Sequence, residues 1–212
     1  MARKPVNTFV LIALFLLGFS TGTHAAEKQL ELEDHLTGIV ASYIDIQKAL
    51  SGDSVSNVAE NADAIATHAD AALTHVKKEA KDQKEFAERL ERIKTAAAAF
   101  SKDLDDDEAL DIDNARRLFY ALSLNVVELV NERLTARQAA NYHLFYCPMA
   151  KGYWLQDDEE KLRNPYYGSE MLTCGKKQSY MEDYDPAKSK YQCSHNHKFN
   201  RDCNHKEHKH KK

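Results

Sequence analysis

The chain has 212 residues, with 29 Lys and Arg against 33 Asp and Glu, and it contains four cysteines. The net charge of −4 argues against nucleic-acid binding, because binders of that class need a basic footprint. The sequence contains no phosphate loop and no nucleophile beside a placed base, so it predicts a binding protein rather than an enzyme.

Residues 1–26 have the pattern of a secretory signal peptide. Arg3 and Lys4 form a basic head, eleven apolar or small residues follow at positions 9–19, and small residues end at Ala25 and Ala26. Such a run is shorter than the roughly 20 residues that span a bilayer. Cleavage would leave 186 residues with 27 basic and 33 acidic side chains, a charge of about −6. We therefore expect an exported protein, most simply periplasmic, with no membrane span after cleavage.

Four stretches have the 3.6-residue periodicity of amphipathic helices. They cover residues 27–50, 55–76, 82–100 and 112–134. With short polar joints between them, they predict a mainly α fold built as an antiparallel four-helix up-down bundle.

The joints carry capping residues. We expect Gly52 to close the first helix in a left-handed conformation, and Asp53 or Ser54 to open the second. The acidic run at residues 103–108 favours a helix start through the macrodipole. It lacks the glycine and terminal glutamate of an EF-hand loop, so we prefer capping to calcium binding.

Three histidines lie on the first two predicted helices. His68 and His75 are seven residues apart, which is two helical turns and too far for one metal ion. His35 has no partner at ligand spacing. These histidines are therefore interpreted as surface or rim residues.

From about residue 142 the pattern changes to aromatic and turn residues. Residues 144–146 and 152–155 predict the two strands of a small hairpin, and residues 164–168 (NPYYG) predict a turn. Trp154 could place its indole face over a cation, but the core of the hairpin is the preferred interpretation.

Two sulfur pairs face each other across this region, Cys147 with Met149 and Met171 with Cys174. Soft ligands of this kind select Cu(I), and His143 lies a strand away as a further candidate ligand. The same cysteines could instead form a disulfide, which an exported chain permits. That bond would close a loop of about 27 residues and stabilise by about 3–4 kcal/mol. Both possibilities are open, and a redox change could switch between them.

The end of the chain is rich in histidine and cysteine, a composition typical of metal binding. The candidate ligands in this tail are Cys193, His195, His197, Cys203 and His205, followed by His208 and His210. Their spacing is not that of a zinc finger, so we expect a flexible capture segment rather than a rigid site. The alternative is a Cys193–Cys203 disulfide with a solvated basic tail.

The motifs CPMA, GYWLQ, NPYYG and MLTCG together resemble the DUF3347 domain family. The resemblance covers roughly residues 30–176 and includes the helical segments 43–50, with the following Asp53, and 116–123. It implies a helical bundle closed by a small cysteine-containing element, with a role in copper or other heavy-metal handling. The family's domain also occurs on periplasmic adaptor subunits of heavy-metal RND efflux systems.

The sequence thus predicts three regions: a signal peptide at 1–26, a helical domain with its cap at 27–176, and a tail at 177–212. We expect a periplasmic heavy-metal-binding protein that holds Cu(I) first and zinc or silver next. It would sequester the metal or deliver it to an efflux component. The alternative is a disulfide-stabilised helical interaction module that docks on an envelope protein and binds no metal.

Overall fold

Helices α1–α4 form most of the fold in the computed structural model, which describes residues 20–76, 81–102, 110–179 and 184–188. Most of the predicted signal peptide, the acidic run at 103–108 and the predicted tail ligands lie outside these residues. The helices are α1 (Ser20–Ser51), α2 (Val58–His75), α3 (Lys81–Lys102), α4 (Ile112–Arg133) and the short α5 (Ala136–Ala139). The prediction of a mainly helical fold with four long helices is confirmed.

The fifth helix was not predicted. It is a single turn opened by a capping box, in which the Thr135 hydroxyl accepts from the Gln138 N–H and the Gln138 side chain accepts from the Thr135 N–H. This reciprocal pair satisfies two donors at a helix start. The signal, Thr followed three residues later by Gln, is present in the sequence but too short to stand out by periodicity.

The turn between α1 and α2 differs from the prediction. Asp53, not Gly52, adopts the left-handed conformation, with φ of 56°. The Gly52 N–H still donates to the carbonyls of Lys48 and Ala49, which keeps that residue in the helical turn. Aspartate is one of the few residues that tolerate a positive φ. Neither Asp53 nor Ser54 caps α2, whose N-cap residue is Asn57 and makes no side-chain cap bond.

Consecutive helices pack against each other, and α4 also packs against α1. Their buried faces follow the predicted stripes, with Ile39, Ile65, Leu90 and Phe119 all fully or nearly fully buried. Each such side chain contributes about 1.5–3 kcal/mol by leaving water. Three alanines of α2 are also fully buried, at positions 62, 69 and 72.

A small antiparallel sheet lies against α4 and α1. Its strands are β1 (His143–Cys147), β2 (Gly152–Gln156) and β3 (Lys176–Gln178), in the order β2-β1-β3. The predicted hairpin of β1 and β2 is confirmed, with Cys147 opposite Gly152. The third strand was not predicted, and the expected boundary at residue 176 falls inside it. We call residues 143–178 the cap.

The part of the chain that the structure describes includes no helix that combines the length and apolar character needed to cross a bilayer.

Candidate metal site in the cysteine-containing cap

The sheet brings the two cysteines of the cap together. Cys147 ends β1 and Cys174 precedes β3, and these strands pair so that Tyr146 lies opposite Lys176. The Sγ atoms of Cys147 and Cys174 are 3.6 Å apart, and both residues are free thiols. A disulfide requires about 2.05 Å between the sulfurs. Two sulfur ligands of a tetrahedral ion with bonds of about 2.3 Å lie about 3.8 Å apart. The observed separation is closer to that of two ligands sharing one ion.

Backbone N–H groups of the β1–β2 turn point at both sulfurs. The Ala150 N–H donates to Cys147 Sγ at 3.3 Å, and the Met149 N–H donates to the Cys174 thiol. The turn ends at Lys151, which has φ of 51°, immediately before the first residue of β2. Donors of this kind stabilise negative charge on sulfur, whether the thiolate is free or bound to a metal.

The cysteine pair is shielded from water. Cys147 is fully buried and Cys174 is half-buried. Burial, together with the hydrogen bond to Cys147, raises the pKa of the Cys174 thiol. Burial and the neighbouring cysteines also raise the pKa of Tyr167 to about 12. At neutral pH the Cys174 thiol is therefore protonated, and a metal ion would have to displace its proton.

This raised pKa makes the stability of the reduced protein depend on pH. The folded state holds the Cys174 proton to a higher pH than the unfolded chain, whose thiols titrate near about 8.5. Stabilisation is fully present below that value and is lost as pH rises through the folded pKa. We expect urea unfolding under reductant, from about pH 7 to about pH 10, to show a decline in unfolding free energy that Cys174→Ser lacks. Parallel profiles for the two proteins would contradict this prediction.

Asn164 holds the segment that carries Cys174. Its side-chain amide donates to the Cys174 carbonyl at 2.8 Å, and its side-chain oxygen accepts from the Tyr166 N–H at 2.8 Å. Its backbone N–H donates to the Leu172 carbonyl, and its carbonyl accepts from the Gly168 N–H. Asn164 is fully buried, so these bonds fix the loop around the second cysteine without competition from water.

We expect Asn164→Ala to lower the free energy of unfolding by about 2–3 kcal/mol, because it leaves the half-buried Cys174 carbonyl and the buried Tyr166 N–H without partners. Denaturant unfolding measures this change. Asn61→Ala is the matched control, since the Asn61 amide donates to the Asn57 carbonyl at an exposed position. A loss at Asn164 no larger than the loss at Asn61 would contradict the assigned role.

An ion pair attaches the NPYYG turn to the helices. The Arg116 side chain is buried and donates to Asp53 Oδ1 at 2.5 Å, to the Leu50 carbonyl at 3.0 Å and to the Pro165 carbonyl at 3.2 Å. Asp53 also accepts from the Ser169 N–H, and this bond and Arg116 lower the pKa of its carboxyl. Gly168 has φ of 55°, and a side chain there would collide with both charged groups.

Buried hydroxyl groups form a second connection between the helices and the cap. Tyr43 and Ser123 share a hydrogen bond of 2.6 Å, and Ser123 donates to the Tyr153 carbonyl at 2.7 Å. The Tyr166 hydroxyl donates to that same carbonyl, and the Leu155 N–H donates to the Tyr43 hydroxyl at 3.2 Å. Burial raises the pKa of Tyr43 and Tyr166, so both remain neutral donors. The sheet is thereby fixed on α1 and α4.

The other predicted ligands of the cap are placed unequally. Met149 lies in the turn beside Cys147 and is 50% exposed, whereas Met171 is half-buried against the core. His143 begins β1 opposite Gln156, four residues and about 13 Å along the strand from Cys147. The structure therefore brings the two cysteines together but does not bring His143 to them.

Trp154 serves packing, as the preferred interpretation predicted, and it packs against Tyr166 of the NPYYG turn. Trp154 is fully buried, stacks on Phe145 at 5.4 Å between ring centroids and meets Tyr166 edge-on at 6.0 Å. Its indole N–H donates to the Gln156 side chain. With one face occupied by Phe145 and no exposure to water, the ring does not present a surface to a cation.

Among the described residues, no three His, Cys, Asp or Glu side chains are grouped closely enough to hold a metal ion. No family model, curated protein or solved structure matches this chain. The five candidate ligands of the tail, Cys193, His195, His197, Cys203 and His205, lie outside the described residues.

Polar residues inside the apolar helix stripes were the signal that sequence reasoning missed. Gln47, Arg116 and Ser123 are buried and each bonds to the cap or to its loop. A buried polar group needs a partner, so a polar residue that interrupts a hydrophobic stripe marks a contact with another element.

The interpretation of the three helix histidines also needs revision, because His35 does have a partner, the His68 ring.

Proposed function

We propose that this is a periplasmic heavy-metal-binding protein whose cap holds a thiophilic ion, Cu(I) first and zinc or silver next, between Cys147 and Cys174. It would sequester the ion or deliver it to an efflux component of the cell envelope. The observation that carries the proposal is the pair of free thiols 3.6 Å apart, each accepting an N–H from the same turn. Soft thiolate ligands are the chemistry that selects Cu(I) over harder ions.

The surroundings of the pair support binding and transfer. Cys147 is buried, which protects one sulfur from solvent oxidants, while Cys174 and the exposed Met149 lie at the surface side of the pair. Two fixed thiols leave further positions on the ion for a methionine, such as Met149 or Met171, or for a ligand from a partner. An incompletely coordinated ion suits delivery better than permanent structural use.

The proposed architecture is an antiparallel up-down bundle of α1–α4 that carries the cap on α1 and α4. Packing of each helix on the next, and of α4 on α1, supports it. Membership of the DUF3347 family is part of the same proposal. The residues of that resemblance have defined roles here, since Asp53 and Arg116 join the helices to the NPYYG turn.

The second candidate is a disulfide-stabilised interaction module that docks on an envelope protein and binds no metal. It is favoured by the same distance of 3.6 Å between the Sγ atoms of Cys147 and Cys174. A small movement of these side chains would bring the sulfurs to the disulfide bond length of about 2.05 Å. It is also favoured by the lack of a third His, Cys, Asp or Glu ligand near the pair in the described residues.

An anaerobic Cu(I) competition titration separates the two candidates. The full chain is compared with a chain that ends at residue 189, so that the predicted tail ligands are removed. We expect the shortened chain to retain one tightly bound equivalent of Cu(I). Complete loss of Cu(I) binding with the tail would transfer the metal function to the tail and leave the cap as a structural element.

A further inference from the structure

Three histidines that the cap does not use lie together where α1 packs against α2. The Nδ1 atoms of His35 and His68 are 3.2 Å apart. The His35 ring centroid lies 5.5 Å from that of His68 and 5.8 Å from that of His75. Because His68 and His75 are two turns apart on α2, His35 lies between them. This arrangement combines ligands that are 33 residues apart in the chain.

The packing of the helices holds the His35–His68 pair in place. A Cβ at position 38 would lie 2.6 Å from two atoms of the His68 ring, so the glycine on α1 makes room for that imidazole. All three histidines are partly buried, and the His75 side chain is only 14% exposed. The rings therefore lie partly buried between the two helices.

We propose that His35 and His68 bind one divalent d-block cation, with Zn²⁺ as the representative ion, through their Nδ1 atoms. Two imidazole ligands of a tetrahedral zinc ion with bonds of 2.0–2.1 Å lie about 3.4 Å apart. The observed separation of 3.2 Å is close to that value. Imidazole suits zinc, copper and nickel, so the chemistry of the pair differs from the soft thiols of the cap.

Neighbouring groups complete the surroundings of this site. Glu31 lies one turn before His35 on α1, and its Oε2 is 3.8 Å from His75 Nε2. With two protein ligands, the remaining coordination positions of the ion would be filled by water. Such an ion exchanges more readily than one held by four protein ligands in a closed structural site. The carboxylate of Glu31 adds negative charge near a bound cation.

The protonation state of the pair suits a ligand role. Without a metal ion, the Nδ1–H of one ring donates to the Nδ1 lone pair of the other. One imidazole must therefore carry its hydrogen on Nδ1 and the other on Nε2. A cation would take the place of the shared proton, as metal binding to histidine requires.

This inference does not rest on the proposed function, because the histidine pair and the cysteine pair share no residue. Zinc binding is tested on the full chain by two measurements. In ¹⁵N NMR, we expect Zn²⁺ to shift the assigned Nδ1 resonances of His35 and His68. In thermal unfolding, zinc at a hundredfold excess over the Kd of the histidine site should raise Tm by about 5 °C through that site. His35→Gln or His68→Gln should remove this contribution, while any increase from zinc at the cap or the tail stays.

Gly38→Ala provides a variant that keeps both histidines but crowds the His68 ring. We expect it to weaken the zinc affinity at least tenfold. Gly52→Ala is its control on the same chain segment, since a Cβ there meets only carbonyl oxygens at 3.5 Å, and it should keep the full zinc effect. The cap cysteines and the tail are identical in all these proteins, so differences among them report on the helix pair.

Unchanged Nδ1 resonances of His35 and His68 in millimolar Zn²⁺ would overturn the proposal and leave the pair as a hydrogen bond between helices. An equal rise in Tm for the wild type and His35→Gln would overturn it as well. The NMR measurement on the wild type requires no variant to fold.

Discussion

Replacing both cap cysteines, by Cys147→Ser and Cys174→Ser, is expected to lower Cu(I) affinity at least about a thousandfold. The change removes both thiol ligands, whereas loss of an outer-shell partner alone typically costs 10–100-fold. A thousandfold loss corresponds to about 4 kcal/mol of binding free energy. The measurement is an anaerobic competition titration against a chromophoric Cu(I) chelator, with folding checked by circular dichroism.

The control is the double variant Cys193→Ser, Cys203→Ser, which removes the same number of thiols from the tail. We expect it to retain the tight Cu(I) equivalent of the cap. If the cap variant keeps its Cu(I) affinity while the tail variant loses it, the metal site belongs to the tail. If neither variant loses affinity, the variant that lacks all four cysteines decides: unchanged Cu(I) affinity in that protein would show that thiolate binding is wrong for both regions.

Replacing Arg116 by alanine is expected to lower the free energy of unfolding by about 3 kcal/mol. The variant leaves the buried Pro165 carbonyl without its donor. It also removes one of the two donors to the Leu50 carbonyl, which accepts from the Asp53 N–H as well. The ion pair with Asp53 contributes less than these bonds, because the Asp53 side chain is 39% exposed and its charge is screened by water. The loss should appear in denaturant unfolding and should coincide with weaker Cu(I) binding, since Arg116 holds the turn that precedes Cys174.

Arg92→Ala is the matched control for Arg116. Arg92 also bonds across helices, donating to Asn125 Oδ1 at 3.1 Å, but it does so at an exposed position. We expect its removal to cost less than about 1 kcal/mol. If Arg116→Ala and Arg92→Ala lower the free energy of unfolding by similar amounts, the buried bonds of Arg116 do not anchor the NPYYG turn.

The helices could be predicted from the sequence because each buries one stripe of apolar residues. The 3.6-residue spacing of such a stripe can be recognised without knowing which element packs against it. Their ends agree with the structure to within a few residues, except that α1 begins at Ser20. The turn after α1 was less predictable. Asp53 takes the left-handed position because its carboxylate accepts from Arg116 and Ser169, and these partners are 63 and 116 residues away.

The cap was predictable only in its local parts. The hairpin of β1 and β2 follows from two short runs of aromatic and apolar residues around a short turn. The approach of Cys174 to Cys147 depends on the pairing of β3 with β1, and a three-residue strand of Lys and Gln carries no strand signal. His143 was named as a further candidate ligand a strand away from the cysteines, and it lies at the opposite end of β1 from Cys147.

The histidine pair could have been found from the sequence. A short turn between antiparallel helices places residues equidistant from its centre opposite each other. With the turn at Asp53, Gly38 lies opposite His68 and Glu31 opposite His75, as their contacts show. His35 then lies between the two histidines of α2. Comparing the positions of candidate ligands on α1 and α2 across the turn would therefore have predicted the contact of His35 with His68, which the spacing along α2 alone does not show.

The most direct test of the central claim is the state of Cys147 and Cys174 in protein prepared from the export compartment without reductant. Peptide-resolved thiol alkylation is combined with metal analysis of the same sample. We predict that both cysteines are recovered as alkylated thiols and that copper is retained in the folded protein. Recovery of a Cys147–Cys174 disulfide peptide, with no copper retained or bound on titration, would contradict the account.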